Sequence, residues 1–179
     1  MELKDLITDD LCIGLFHEDD AAAFTQAVRA SVDSLSPWMP WCHADFNESE
    51  ARRLITLFTK EAREDLAYTL GVYSLDRTLL IGGIAINQIN GTHNFGNVAY
   101  WVRSSKQGNG IATRALRMIT CFGFRVLGLN RLEIVAAIGN EASCKVAANA
   151  GATMEGIARK RLVSREQVHD AAIYSLVSR

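Results

Sequence analysis

Along this chain the spacing of apolar positions switches repeatedly between the two-residue period of a strand and the longer period of a helix. A short strand is expected at Leu11 to Phe16. Glu18, Asp19 and Asp20 then open a helix running to about Ala30, where acidic side chains complement the positive end of the helix dipole. Ser31 to Phe46 holds both prolines, Pro37 and Pro40, so a regular helix is not expected there. Leu54, Ile55, Leu57 and Phe58 form the apolar stripe of a helix from about Ser49 to Glu64. Tyr68 to Ser74, Leu79 to Gln88 and about Asn97 to Arg103 follow as adjacent antiparallel strands. Asn90-Gly91 is the hairpin signal between the last two.

From Ile111 to about Val126, residues Ile111, Ala112, Ala115, Leu116, Ile119, Phe122 and Phe124 predict a well-packed helix that Gly128 and Asn130 end. Leu132 to Ile138 is a short apolar strand and Glu141 to Ala148 a helix, closed by Asn149 and Gly151. Two strands, near Thr153 to Val163 and His169 to Val177, complete the pattern. The fold class is α+β: a mainly antiparallel mixed sheet of about seven strands flanked by about four helices, with one strand–helix–strand crossover. No repeat or Pro/Gly-rich linker divides the sequence, so residues 1–179 are expected to form a single domain.

Composition narrows the partners. Lys+Arg 19 against Asp+Glu 20 leaves a net charge of −1, which gives no bulk pull toward nucleic acid or anionic membrane. Cys12, Cys42, Cys121 and Cys144 make no CxxC pair and have no histidine at metal-ligand spacing, so neither zinc nor a disulfide framework is expected. Cys12 and Cys121 fall in apolar periodic segments and are expected to be buried. The opening Met-Glu-Leu-Lys-Asp lacks a signal-type apolar run, and no apolar stretch reaches spanning length, so the expected compartment is cytoplasmic.

The candidate chemistry sits at Gln107-Gly108-Asn109-Gly110-Ile111-Ala112, between a strand and a helix. Such a turn gathers unpaired backbone N–H groups at the positive end of a helix, a setting that favours a diphosphate. Gly108 and Gly110 let phosphate oxygens reach the backbone without a Cβ in the way. A dinucleotide fingerprint would need a small residue where Thr113 stands and would follow the first strand; a Walker A loop would need Gly-Lys-Ser/Thr. A glycine turn that only links strand to helix is the remaining alternative.

Gln-x-x-Gly-x-Ala, preceded by Ala99-Tyr100-Trp101-Val102, resembles the cofactor motif of the GNAT (GCN5-related) N-acetyltransferases. The resemblance continues through Arg131-Leu132-Glu133, Asn140-Glu141-Ala142-Ser143, Ala150-Gly151-Ala152 and Glu155-Gly156. Upstream, Ser34 to Trp41 is similar to the tryptophan-rich segment of the RimJ/RimL branch, which acetylates protein N-termini. The resemblance implies the GNAT fold, acetyl-CoA as acetyl donor, and a V-shaped cleft where the strand of Tyr100 splays from the strand of Leu132. It places the cofactor at Trp101, Val102, Arg103, Gln107, Gly108, Asn109, Gly110, Ile111, Ala112, Thr113, Asn140 and Ser143, the first three through their backbone. Arg103, Lys106 and Lys145 are candidates to neutralise phosphates.

Amide formation from a thioester needs a neutral amine, a donor for the carbonyl oxygen and a proton for the departing thiolate. The resemblance gives the last role to Ser143, and a backbone N–H near Val102 suits the oxygen. Asn140 and Ser143 equally suit a helix cap and its first turn. RimL-like sequences carry a glutamate base six residues beyond Glu-Gly, but that position is Leu162 here. Glu133, His43 and His169, or a water chain, are the replacements, with Glu133 taken as the catalytic candidate. Trp38 and Trp41, with Tyr100, are the candidate acceptor-binding residues. The expected acceptor is the N-terminal α-amine of a protein (ribosomal-protein-type) or peptide. The alternatives are a small-molecule amine or antibiotic, and a non-catalytic acyl-CoA-binding module. A homodimer is a family-level expectation.

Overall fold

Strands β1 (Leu6–Ile7) and β2 (Leu11–Leu15) lead, through a 3₁₀ turn at Glu18–Asp20, into helices α1 (Ala21–Arg29), α2 (Val32–Leu35) and α3 (Glu48–Arg63). Three strands follow, β3 (Tyr68–Ser74), β4 (Leu80–Asn90) and β5 (Phe95–Val102), then α4 (Ile111–Arg125), β6 (Arg131–Ala137), α5 (Glu141–Asn149), β7 (Thr153–Ser164) and β8 (Gln167–Val177). These elements come from a computed structural model that describes residues 5–8 and 10–178. Residues 1–4, which carry most of the opening stretch noted above, lie outside the described residues. Among the described residues no helix is long and apolar enough to cross a membrane.

The eight strands form one sheet in the order β1-β2-β3-β4-β5-β6-β8-β7. Every pairing is antiparallel except β5 with β6, which the α4 crossover makes parallel. The central strands are apolar on both faces because helices cover both. On one face Leu70, Ile84, Val98, Leu132 and Ile134 pack against Leu116 and Ile119 of α4. On the other, Cys12, Tyr73 and Trp101 pack against Phe24 of α1 and Ile55 of α3. Gly83 has a positional reason: a Cβ there would lie 2.5 Å from the Trp101 indole nitrogen, so the missing side chain makes room for the ring.

The expected fold class holds, with two short elements added: the two-residue β1 and the one-turn α2. The second departs from the expectation that Ser31 to Phe46 is irregular. Pro37 removes a donor only at its own position, so a single turn upstream is compatible with it. The β4–β5 hairpin also differs in its turn. Residues 91–94 form it, Asn94 takes the positive φ of 52°, and the Asn90 side chain accepts from the His93 amide at 2.9 Å. Cys12 is buried as expected, but Cys121 is exposed. It lies four residues from both Arg117 and Arg125, on the solvent stripe of α4. α5 ends as expected: Gly151 takes φ 95°, and the amides of Gly151 and Ala152 bond back to Ala148 and Ala147.

Candidate active site

The parallel pair opens almost as soon as it forms. β5 and β6 are paired only at Phe95 to Asn97 with Arg131 to Glu133. Beyond that point Val98 to Val102 are paired with β4 alone, and Ile134 to Ala137 with β8 alone. The Arg103 amide donates to Ile81 of β4 at 2.8 Å, so alternation along the strand turns the Val102 amide the other way, into the opening. The result is a V-shaped cleft with one bare backbone edge.

At its head lies the glycine turn. Gly108 and Gly110 have φ of 77° and 69°, and Gly110 is the left-handed N-cap of α4 without a side-chain cap. The first helical amide to find an intrahelical acceptor is that of Arg114, bonded to Gly110 at 3.1 Å. The amides of Ile111, Ala112 and Thr113 therefore point outward from the helix start. Nothing lies within 4 Å of a Cβ built on Gly108, so the turn leaves an open cradle above those donors. A pyrophosphate fits such a set of donors in charge and in shape.

Three side chains fasten this turn. The Gln107 amide nitrogen donates to the Val102 carbonyl at 2.9 Å and to Ser34 Oγ at 3.2 Å. Asn109 Nδ2 donates to the Lys106 and Gln107 carbonyls at 3.2 and 3.0 Å. Arg114, which sequence reasoning missed, donates to the Asn109 carbonyl at 2.9 Å and pairs with Asp10 at 2.8 Å. A cation in the first turn opposes the helix dipole, and that was the available signal. Ser31 and Ser34 were missed too: they bond the Ser104 amide (3.0 Å) and the Ser104 hydroxyl (2.8 Å), tying the α1–α2 region to the turn. Of the candidate cations, Arg103 and Lys106 flank the turn, while exposed Lys145 pairs with Glu141 at 3.7 Å.

Across the cleft, Asn140 caps α5 by accepting the Ser143 amide at 3.1 Å. The Tyr100 hydroxyl lies 2.9 Å from the Ser143 carbonyl, to which it donates, and 3.1 Å from Ser143 Oγ. Burial pushes the Tyr100 phenol up to about 12, so it stays a neutral donor. The structure thus pairs Tyr100 with Ser143 on the α5 side of the sheet and not with the tryptophans. Trp41 stacks edge-on against Phe24, Phe46 and Trp101, within the α1–α3 core. Trp38 reaches the cleft's outer end: its ring centroid is 6.1 Å from that of His169, and its tip lies 3.4 Å from a Cβ built on Gly139. Glu133 sits where β5 and β6 are still paired, accepting from Arg131 at 2.9 Å, and Arg131 also binds Glu155. That pairing holds Glu155 down to about 2. His43 is exposed and bonded to Glu50 at 3.0 Å. Cys144 Sγ has the Ala137 carbonyl at 4.0 Å as its hydrogen-bond partner.

A parallel strand pair opened over a helix start, with donors on both sides, defines an acyl-CoA transferase fold. A family model for the acetyltransferase (GNAT) domain matches residues 10–153. YdaF of Bacillus subtilis (strain 168), provisionally named a ribosomal N-acetyltransferase, is 28% identical over 175 residues, covering 97% of this chain and 94% of its own. The structure of a provisionally named ribosomal-protein-serine acetyltransferase from Vibrio cholerae superposes with a TM-score of 0.86 at 29% identity, covering 98% of both chains. RimL, a ribosomal L7/L12 α-N-protein acetyltransferase solved with coenzyme A, superposes with a TM-score of 0.89 at 20% identity, over 97% of this chain and 98% of that one. The chain belongs to the GNAT family of acetyl-CoA-dependent N-acetyltransferases, in its RimJ/RimL-like branch.

Proposed function

We propose that residues 1–179 form one GNAT domain that acetylates the N-terminal α-amine of a protein of the ribosomal type, or of a peptide. The observation that carries this reading is the opened β5–β6 pair with a neutral Tyr100–Ser143 pair on one side and Trp38 with His169 at the outer end. Relatives named for ribosomal-protein acetylation support the acceptor class. An α-amine titrates near about 8, so a useful fraction is already neutral at pH 7, whereas lysine at about 10.4 needs far more help.

Acetyl-CoA supplies an activated acetyl thioester. The amides of Gly108 to Thr113 and the charges of Arg103 and Lys106 hold its pyrophosphate. The bare edge of β5 and the Asn140 side chain align its pantetheine arm. The Val102 amide faces the opening and stabilises negative charge on the thioester oxygen. Ser143 Oγ, positioned 3.1 Å from the Tyr100 hydroxyl, gives its proton to the departing sulfur. Trp38 forms the wall against which the acceptor lies. The protein works in the cytoplasm, as a homodimer.

The test is coenzyme A release, with product masses, over a panel of peptides bearing free or blocked α-amines and a set of small-molecule amines. Turnover on free α-amines that blocking abolishes is the expected result. Turnover on small amines alone, or tight acetyl-CoA binding with no turnover, would reject the α-amine reading.

A further inference from the structure

Leu162 stands where a carboxylate base is expected, yet the fold offers a titratable group beside it. In the β7–β8 hairpin Leu162 and His169 are directly opposed. Opposed residues in an antiparallel pair share a face, with Cβ atoms about 5 Å apart. The face follows from the alternation along β8. Tyr174 and Leu176 pack into the α4–α5 core, so His169, Ala171 and Ile173 belong to the opposite face. That is the face of Trp101 and of the Trp38 segment, where the Trp38 ring meets the imidazole.

The rival groups are engaged elsewhere. Glu133 is held by Arg131 at the closed end of the cleft, and His43 by Glu50 on α3. Among the described residues His169 makes no hydrogen bond or ion pair through its ring. Of the charged side chains on the elements around it, Asp170 accepts the Lys160 amide at 2.8 Å, Arg165 bonds Ser36 and Glu141 pairs with Lys145, while Arg159, Lys160 and Glu166 are exposed. Arg161 is exposed. Two contacts fix the hairpin against the Trp38 segment: Ser164 Oγ donates to the Pro37 carbonyl and Arg165 to Ser36 Oγ. The imidazole is thereby held at the outer end of the cleft by packing, with its nitrogens uncommitted.

Resting on the α-amine reading above, we propose that His169 is the general base that takes the proton from the acceptor ammonium. One proton passes from R–NH₃⁺ to the neutral imidazole, leaving the amine lone pair free to form the N–C bond as the C–S bond breaks. The second N–H proton replaces the one Ser143 gives to sulfur, and the imidazolium returns its own to solvent. Acid and base then act from opposite faces of the opened sheet.

The experiment compares wild type, His169→Gln, Leu162→Glu and the double variant. His169→Gln is expected to lower kcat on an α-amine peptide by about 100-fold, within the range of general base catalysis, with acetyl-CoA Kd within about twofold of wild type. Leu162→Glu in the His169→Gln background is expected to regain at least tenfold of that loss. A readout independent of turnover is the His169 ring resonance in the free protein: Leu162→Glu should raise its titration midpoint, because a carboxylate then faces the imidazolium. If wild type turns over and His169→Gln keeps kcat within threefold, or loses activity through KM alone, the base assignment is wrong while the function stands. An unmoved midpoint in folded Leu162→Glu would overturn the juxtaposition itself. Wild type inactive on every α-amine rejects the underlying function instead.

Discussion

Replacing Gly108 by alanine separates two effects that usually arrive together. At φ 77° an alanine pays a left-handed backbone penalty of about 1–2 kcal/mol, and the less flexible unfolded chain returns about 0.4–1 kcal/mol. The net loss of about 1 kcal/mol corresponds to a Tm lowered by about 2–4 °C for a chain of this size. The new methyl meets no protein atom within 4 Å, so no packing clash adds to this. It does occupy the space above the first amides of α4. Losing one charge-assisted hydrogen bond there costs about 1.5–3 kcal/mol, or about 10- to 150-fold in acetyl-CoA affinity. Gly128 supplies a matched control: φ is 67°, its Cβ is equally free, and it lies beyond the far end of the fifteen-residue α4. Gly128→Ala should lower Tm by a similar amount and leave acetyl-CoA affinity unchanged. Calorimetric titration with acetyl-CoA and thermal unfolding of both variants make the comparison. Equal affinities in two folded variants would refute the pyrophosphate assignment.

Alkaline stability should report the buried phenols. Tyr68 and Tyr100 are both pushed up to about 12 by burial, and Tyr73 is raised further in the same direction. The unfolded chain loses these protons near pH 10 while the folded protein keeps them, so stability is complete below pH 10 and falls as pH rises toward 12. Tyr100→Phe should flatten that decline in denaturant titrations repeated across the range; an unchanged slope contradicts the burial argument. Ser34→Ala removes the bonds to Ser104 and Gln107 but leaves Gln107 attached to Val102. Acetyl-CoA Kd should rise by less than about tenfold, because both lost bonds are modest and the Val102 anchor remains; a larger loss would mean that Ser34, and not Val102, anchors the turn.

Much of the frame was legible from periodicity. α4 and β3 fall within a residue of their expected bounds, because an amphipathic stripe and an apolar run between polar breaks are local signals. Cys121 was misplaced because α4 carries apolar residues on more than one side, and only Arg117 and Arg125 betray its wet stripe. What escaped sequence reasoning is what depends on distance along the chain. Tyr100 and Ser143 are 43 residues apart, and Ser34 and Ser104 are 70 apart. Those bonds exist only once the sheet has brought the elements together. The glycine turn was readable, but Arg114, which clamps it, was not, since its partner Asp10 comes from the start of the chain. Leu162 was visible as a gap; His169 opposite it required the hairpin register, which three unpaired residues in β7 shift between Ala158 and Leu162.

The bare edge of β5 has a consequence for how this protein can change. A grip made by main-chain amides belongs to no particular side chain, so substitutions along Val98 to Val102 alter packing while leaving the donors in place. On the proposed assignment, tolerance of drift is built into the edge that docks the acetyl donor, which can stay the same while the proposed acceptor wall around Trp38 and His169 diverges. Proline alone deletes a main-chain N–H outright. At Val102 that one replacement would silence a donor that no other amino acid can remove.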